Sequence, residues 1–482
     1  MAQLQRDAVG LAPVLFQSIT HMAPAAAVAF SIIFATPYAG GSTPLAVVLA
    51  LVACVFVAIS IGQLARHLPS AGGLYTYSAR GLHPTVGFFV AWGYMLAEPI
   101  VAPLLYIVFG NELSSYLNNH FNTPLWLWAP FAALAGIGVW ILVYRGVRIS
   151  TETGVVLGAF EIVVFFLLAI TLIIAAGGNN TLSVFAPNTG NSGGLGAVFA
   201  GMIYTVLAFI GFEASAPLGE EARNPKSTIP RAVILSCILV GVFYLVCYYG
   251  ASVYFGPEKM KSGFLAFGGG APWDALASKV WGPLAILVTL AILNSAFANS
   301  NAGANAATRV GFALGRVGIL PRQLARVHPR FKTPYMAIHV QGALGIAVAL
   351  ILGFALLNVG TPNSPLNAFA LLGTIATLIV VCIYILTNLA NIVFYMREQR
   401  SEMNVLWNLI VPALGILIFI PVLVASFGID FAGLGIGALT APANAAPWIV
   451  LAWLVIGVAL YIYLASRSPA AIKETATTFI EA

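Results

Sequence analysis

The chain has 482 residues, of which 60% are hydrophobic and only 7% are charged, and its net charge is +6. Because a soluble domain carries about 25% charged residues, this composition excludes a water-soluble fold and indicates an integral membrane protein. The basic residues are scattered among short loops, so the net charge does not indicate nucleic-acid binding. The four cysteines lie inside apolar runs without metal-ligand spacing, so we expect buried thiols, no metal and no cofactor.

Apolar runs divide the chain into candidate membrane spans, each of which needs about 20 residues. The short polar segment Met1 to Gly10 precedes a run that is far too long for a signal-peptide core. Together the runs predict an all-α polytopic membrane protein with twelve transmembrane helices. Their approximate limits are 13–38, 44–65, 85–117, 124–144, 153–176, 195–219, 231–255, 282–311, 336–358, 366–396, 404–427 and 447–466.

The loop charges predict the orientation. If the N-terminus is cytoplasmic, 18 of the 21 Lys and Arg residues lie on the inner side, and only Lys259, Lys261 and Lys279 lie outside. Since basic residues concentrate in cytoplasmic loops, we predict a multi-pass protein of the cell membrane with both termini inside. The outer stretch Gly256 to Lys279 is rich in Gly, Pro and aromatic residues, and we expect it to cover the outer mouth.

Two spans are interrupted by residues that disfavour a continuous helix. In the first span, polar residues from Ser18 to His21 precede Pro24, and an interior proline costs roughly 3 kcal/mol. The sixth span contains Gly211 and Glu213. Freed backbone groups in a membrane are satisfied by protein or by a water-lined cavity. A proline kink is the simpler interpretation of Pro24, but interruptions in corresponding helices of two five-span halves are typical of a transporter binding site.

Three ordered motifs resemble the amino acid–polyamine–organocation permeases over roughly residues 10–400. The most specific is Gly211-Phe212-Glu213, followed by residues 219–226 and Ile229-Pro230-Arg231. The second is residues 69–75, Pro-Ser-Ala-Gly-Gly-Leu-Tyr, after span two. The third combines Thr308-Arg309 with residues 318–321, Gly-Ile-Leu-Pro, and later Thr333-Pro334.

The resemblance implies a five-plus-five inverted-repeat fold with helices one and six broken at the membrane midplane. Residues 1–400 would form the transport core, with halves of about 10–180 and 190–400. Residues 401–466 would add two helices, and 467–482 would form a cytoplasmic tail. The resemblance also implies a secondary transporter whose substrate lies between the broken helices. The substrate-binding residues expected there are Ile19, Thr20, His21, Met22, Ala25, Ala26, Leu207, Ala208, Phe209 and Phe212.

The first break departs from the family pattern. Family members that bind amino acids have a glycine- or serine-rich break, whereas this chain has Met22-Ala23-Pro24-Ala25-Ala26. Pro24 suits the first turn of a restarted helix. A restart at Ala25 would offer free N–H groups and a positive dipole end to a substrate carboxylate, but the proline and alanines leave less room than glycines.

Of the fifteen acidic residues, we place only Glu98, Glu161 and Glu213 deep inside spans, and an intramembrane acid indicates a functional site. The family pattern places Glu98 at the substrate pocket, one turn beyond Tyr94, where it would attract an ammonium group. The alternative is a protonated glutamate that bonds a neighbouring helix near Pro99. Glu213 is expected to accept hydrogen bonds from exposed N–H groups of the unwound sixth span. Pro24, Gly211 and Glu213 are the residues expected to support the two breaks structurally.

Glu161 matches a position where many sodium-independent members carry a lysine. It would carry a coupled proton, bind a cation or make a structural hydrogen bond. The candidate partners in span eight are Asn294, Ser295, Asn299 and Ser300. His21 is either a pocket wall, a proton relay or a hydrogen-bonded strut. Tyr204, Phe209 and Phe212 either cradle an ammonium group or simply pack.

These observations predict a secondary transporter of amino acids or related small amines, coupled to a proton, an ion or a counter-substrate. Amino acids are the first choice of substrate because of the family resemblance. Polyamines or other amines, bound by Glu98, are the second choice. The chain has no G-x-x-x-x-G-K-[ST] loop for ATP. Its six histidines form no H-E-x-x-H cluster, which disfavours an enzyme. A channel or a substrate sensor is a further alternative.

Overall fold

The computed structural model describes residues 10–68, 73–146, 151–220, 222–316, 320–429 and 439–467, and these are mostly helical. The α-helices are α1 (Leu11–Met22), α2 (Pro24–Ala26), α3 (Thr36–Ala39), α4 (Thr43–His67), α5 (Leu74–Gly81), α6 (Pro84–Phe121), α7 (Trp128–Arg145), α8 (Thr151–Ala176), α9 (Gly194–Phe209), α10 (Pro225–Phe255), α11 (Pro257–Lys259), α12 (Pro272–Trp281), α13 (Ile286–Arg316), α14 (Tyr335–Ala355), α15 (Leu366–Arg397), α16 (Val411–Ser426) and α17 (Ala446–Arg467).

Eleven helical stretches of the described residues are long and apolar enough to cross a membrane. Ten of them coincide one for one with the third to twelfth predicted spans, so the all-α polytopic fold is confirmed. The remaining stretch, Leu11–His67, covers the first two predicted spans in 57 residues. A straight helix of that length would measure about 86 Å at 1.5 Å per residue, against a hydrocarbon core of about 30 Å. The twelve crossings and the inverted repeat remain predictions.

Some predicted features lie outside the described residues. These are the first half of the loop after span two (69–72), part of the motif after span eight (317–319) and most of the C-terminal tail (468–482). Within the described part, Leu74 to Tyr77 belong to the short helix α5, which packs between α6 and α15.

The interrupted first stretch lies at the centre of the helix assembly. Helix α1 packs on α10 and on the 3-10 segment Phe212–Glu220, while α2 packs on α8 and α13. Helices α8 and α10 approach closely because Gly250 faces α8, and a Cβ there would lie 2.8 Å from the Ala169 carbonyl oxygen. Small residues at such contacts are typical of membrane helices. The packing holds both ends of the first break between long helices.

Candidate functional site

The first interruption is a single left-handed residue. Helix α1 ends at Met22, and Ala23 has φ 47° and ψ 68°, a conformation that is uncommon for a residue with a side chain. Helix α2 then begins at Pro24, where the missing N–H is not needed. A π-helical turn at Ala27–Ser31 follows. The chain therefore changes direction at Ala23 and restarts as a helix at the proline.

The second interruption lies directly against the first. Helix α9 ends at Phe209, Ile210 has ψ 125° and Gly211 has φ 117°. Only glycine adopts such a φ without strain. A Cβ on Gly211 would lie 2.8 Å from the carbonyl carbon of His21. The two interruptions thus meet at Gly211 and His21.

Side chains satisfy the backbone groups that the second interruption frees. One carboxylate oxygen of Glu213 accepts the Gly211 N–H at 3.0 Å and the Tyr384 hydroxyl at 2.9 Å. The Ser18 hydroxyl donates to the Phe212 carbonyl at 2.7 Å and accepts from the Ser215 N–H at 3.2 Å. Since unpaired backbone groups are costly inside a membrane protein, these bonds fix the unwound turn.

Tyr244 joins the two interruptions, although the sequence analysis did not select it. Its hydroxyl lies 2.8 Å from the Ala208 carbonyl and 3.2 Å from the Met22 carbonyl, and the side chain is fully buried. A tyrosine in the middle of an apolar run needs a buried partner for its hydroxyl, and that requirement is the sequence signal that would have found it.

The N–H groups of the restarted helix already have acceptors. Ala25 donates to Glu161 Oε2 and Ala26 donates to Ser295 Oγ, each at 3.2 Å. Ala27 donates to the Ala23 carbonyl at 2.8 Å, and Pro24 has no N–H. The expectation that this turn offers free N–H groups is therefore wrong for this conformation, because a protein carboxylate occupies the positive helix end.

A small cavity lies between the interruptions, with about 50 Å³ available to the centres of water-sized molecules. Four of the predicted binding residues line it, namely His21, Met22, Ala26 and Leu207. The other lining residues are Ala23, Ala27, Ser31, Val101, Leu104, Leu105, Ile210, Asn299, Phe369 and Ala376. Most of the wall is apolar, with polar groups at His21, Ser31 and Asn299.

A family profile described as an amino acid permease matches residues 14–460. The chain belongs to the amino acid permease family. The permease is similar to the low-affinity putrescine importer PlaP of Escherichia coli, at 27% identity over 74% of this chain and 78% of the relative. It is also similar to the branched-chain amino acid permease BcaP of Bacillus subtilis, at 25% identity over 69% and 72%. The methylthioribose transporter of Bacillus subtilis is 26% identical over 72% and 74%.

The family membership establishes the class of protein. The permease is a multi-pass protein of the cell membrane and a secondary transporter for amino acids or related amines, not an enzyme. Its substrate is therefore a small molecule.

Several predicted site residues lie outside the cavity wall. Glu98 lies one turn of α6 from the lining residue Val101, and its Oε2 is buried without a hydrogen-bond partner. Neither Glu98 nor Glu213 has an ion pair among the described residues. The Asn294 amide contacts the Leu157 carbonyl at 3.4 Å rather than Glu161. The predicted residues that also lie outside the wall are Ile19, Thr20, Ala25, Tyr94, Ala208, Phe209 and Phe212.

A second, larger cavity opens on the predicted outer side, with about 230 Å³ for the centres of water-sized molecules. It is lined by the ends of α6 and α15 and by residues of the stretch Gly256 to Lys279, including Leu265 and Gly269. Phe34 lines this cavity, and Phe369 lines the smaller one. The two rings stack at 5.5 Å and 20°, so they form a partition between the cavities.

Proposed function

We propose that the permease moves a small amine that has no carboxylate, by alternating access of the site between the two helix interruptions. We expect a substrate of the type of putrescine, which appears in the name of the PlaP relative. The observation that carries this proposal is the occupied turn of α2: Glu161 and Ser295 already take the N–H groups of Ala25 and Ala26. A substrate carboxylate would have to displace a protein carboxylate from that helix end.

The free polar groups around the cavity favour the same class of substrate. Asn299, which lines the cavity, has a buried Oδ1 without a partner, and Glu98 Oε2 is likewise unpartnered. Both atoms are acceptors, and buried acceptors without donors are costly. An ammonium group supplies only donors, so a cationic amine in the cavity suits Asn299 Oδ1, and we expect Glu98, one turn of α6 from the wall, to attract its charge.

An amino acid is the second candidate. The family description and the name of the BcaP relative favour it, and His21 on the cavity wall offers an N–H donor to a carboxylate in either tautomer. In that case the substrate carboxylate would lie near His21 instead of at the helix end.

Counterflow in proteoliposomes separates the candidates. Vesicles preloaded with putrescine are expected to accelerate uptake of labelled putrescine, whereas preloaded leucine is expected to have no effect. Acceleration of labelled leucine uptake by preloaded leucine, with no acceleration of labelled putrescine uptake, would contradict the amine proposal and favour the amino acid. A channel or a sensor would show no acceleration by any preloaded compound.

Glu98→Gln tests the cationic contact within this proposal. We expect an approximately tenfold weaker apparent affinity for putrescine, since a hydrogen bond to a charged group contributes roughly 1.5 to 3 kcal/mol. Glu398→Gln is the matched control, because Glu398 lies at the end of α15 and pairs with Arg80 at 3.5 Å on the surface. Unchanged affinity in Glu98→Gln would remove Glu98 from the site.

The transport unit is the core through residue 400, in two halves of about 10–180 and 190–400, with the two later helices added to it. Both termini are assigned to the cytoplasmic side because most basic residues of the loops then lie on that side. Movement of one group of helices against the other alternates access, and a coupling proton or a counter-substrate drives net transport. The contacts between α2, α8 and α13 support Glu161 as the group that senses this coupling.

A further inference from the structure

Helix α6 contains two prolines in its interior, Pro99 and Pro103. A proline inside a helix has no N–H to donate to the carbonyl four residues earlier, and its ring clashes with that carbonyl and bends the helix. Pro103 therefore leaves the carbonyl of Pro99 without its helical partner. Inside a membrane protein, such a group has to be satisfied by another element or by water.

The donor comes from α14. The side-chain amide of Gln341 donates to the Pro99 carbonyl at 3.0 Å, which is a normal length for an N–H···O bond. Gln341 lies within an apolar span, where a polar side chain commonly bonds to a neighbouring helix. The glutamine thus replaces the N–H that Pro103 lacks.

The helices are in close contact around this bond. Gly345 follows Gln341 by one turn of α14, and a Cβ on it would lie 3.7 Å from the Pro103 ring and 3.5 Å from the Tyr106 ring. On α7, a Cβ on Gly136 would lie 3.2 Å from the same tyrosine ring. The bent part of α6 is therefore held against both α14 and α7.

The opposite face of the same turns of α6 lines the small cavity. Val101, Leu104 and Leu105 are lining residues, and their spacing of three and four residues places them on one side of the helix. Val101 lies about 200° around the helix from Pro103. It also contacts α13, since a Cβ on Gly303 would lie 2.7 Å from Val101 Cγ1. The cavity wall is thus the reverse side of the segment that Gln341 holds.

We propose that Gln341 is a positioning residue for the substrate cavity. Its bond to the Pro99 carbonyl fixes the bend of α6, and the bend sets the place of the wall formed by Val101, Leu104 and Leu105. Gln341 does not line the cavity, so it acts on the wall through α6. Its role rests on the proposed function, since it requires that the small cavity is the substrate site.

Gln341→Met keeps the length of the side chain and removes the donor. Counterflow in proteoliposomes is measured with labelled putrescine and, as the second candidate, with labelled leucine. We expect the apparent KM of the transported compound to rise about fivefold, because an interhelical hydrogen bond is strong enough to change an equilibrium by that factor. The maximal rate should stay close to that of the parent. An unchanged KM would overturn the proposal.

Pro103→Ala tests whether the effect passes through the Pro99 carbonyl. Alanine restores an N–H for that carbonyl, which then no longer needs Gln341. In the Pro103→Ala background, we therefore expect Gln341→Met to change neither the apparent KM nor the melting temperature, although it lowers the melting temperature of the parent. Such dependence is expected when two residues serve one hydrogen-bonding group. A fivefold effect in both backgrounds would contradict the proposed route.

His339→Phe is the matched control on the same helix. The His339 ring accepts the Trp140 indole N–H at 3.1 Å, so this change loosens α14 from α7 but leaves the Pro99 carbonyl bonded. We expect a lower melting temperature with an unchanged KM. A KM raised as much as in Gln341→Met would overturn the specific role of Gln341, since any loosening of α14 would then disturb the cavity. This comparison decides even if Pro103→Ala does not fold.

Cysteine labelling gives an arm that needs no substrate. Ser31 lines the small cavity, so Ser31→Cys is treated with a small thiol-specific reagent, and the parent chain gives the background. We expect labelling to be several times faster when Gln341→Met is added, but not when it is added to Pro103→Ala. If neither putrescine nor leucine is transported, the proposed substrates fail, while the labelling still tests the position of the wall. An unchanged labelling rate in Gln341→Met would remove the positioning role.

Discussion

At the scale of single residues, Glu161 decides the chemistry of the first interruption. Its carboxylate lies at the start of α2, accepts the Ala25 N–H and lies beside Ser295, which accepts the Ala26 N–H. A negative charge at a helix N-terminus is stabilising. We propose that adding a proton, which removes that charge, weakens the contact between α8 and the restarted helix and so links proton binding to a movement of α2.

Glu161→Gln tests this link. The amide oxygen still accepts the Ala25 N–H, but the residue no longer carries a proton. We expect substrate-induced alkalinisation outside proteoliposomes to disappear in the variant, while counterflow, which needs no net proton movement, continues. A parent protein that gives no pH signal, or a variant that keeps it, would show that Glu161 only caps the helix.

Ser295→Ala supplies the control for capping alone. It removes the acceptor for the Ala26 N–H without changing a titratable group. We expect a stability loss of about 1 kcal/mol, as for other helix caps, measured as a lower melting temperature, and a normal proton signal.

The interruptions could be predicted from the sequence because their causes are local. Pro24 cannot continue a helix, and Gly211 next to Glu213 breaks an apolar run within three residues. Glu213, Glu161 and Ser295 were among the predicted residues, but the bonds of Tyr244 and Ser18 could not be predicted, since their partners lie far along the chain. Tyr244 bonds a carbonyl 222 residues earlier, and Ser18 bonds a carbonyl 194 residues later. The sequence indicates that a tyrosine in an apolar run needs a partner, but it does not indicate which carbonyl group that partner is.

At the scale of elements, the stacked rings of Phe34 and Phe369 separate the two cavities. Both side chains are buried, and they belong to the 3-10 segment Ile32–Ala35 and to helix α15. Tyr204 on α9 also packs on Phe34, with ring centroids 5.6 Å apart. Three separate elements therefore meet at the partition, and we expect a shift of any one of them to open a route from the larger cavity to the smaller one.

Phe369→Ala is expected to connect the cavities, because it removes the ring that lines the small cavity and stacks on Phe34 of the larger one. A reporter cysteine at Ser31, which lines the small cavity, should then react with an impermeant maleimide from outside several times faster than in the Ser31→Cys parent. The cost in stability is about 3 to 5 kcal/mol for a large-to-small change in the core, so the melting temperature is measured alongside.

Phe109→Ala is the control for that cost. Phe109 packs on Phe297 at 6.3 Å and lines neither cavity. The Phe109→Ala variant should therefore lower stability without exposing the reporter cysteine. Equal labelling rates in the two alanine variants would mean that the rings do not close the route.

Helix positions followed from the sequence at this scale because the length of an apolar run is set by the thickness of the membrane. The predicted span 366–396 and the helix Leu366–Arg397 differ by one residue at one end. The partition formed by Phe34 and Phe369 could not be predicted from the sequence, because it depends on which helix faces meet.

At the scale of the whole molecule, the last helix packs on α15 and α6. The hydroxyls of Thr85 and Tyr461 lie 2.9 Å apart, and two tryptophans form a paired contact. The indole N–H of Trp92 on α6 donates to the Trp453 carbonyl at 2.8 Å, and the Trp453 indole returns the bond to the Trp92 carbonyl at 2.9 Å. The rings stack at 4.3 Å. Many other residues of α17 are exposed, as expected for a helix that faces lipid.

Trp453→Ala tests whether residues 1–400 form the transport unit. The change removes the stacked ring and one hydrogen bond, so we expect a stability loss of about 3 kcal/mol or more but counterflow rates close to those of the parent. Trp448→Ala, on the exposed side of the same helix, should change neither quantity. Loss of counterflow in protein that keeps its melting temperature would place α17 in the transport mechanism, and the proposed core would have to extend beyond residue 400.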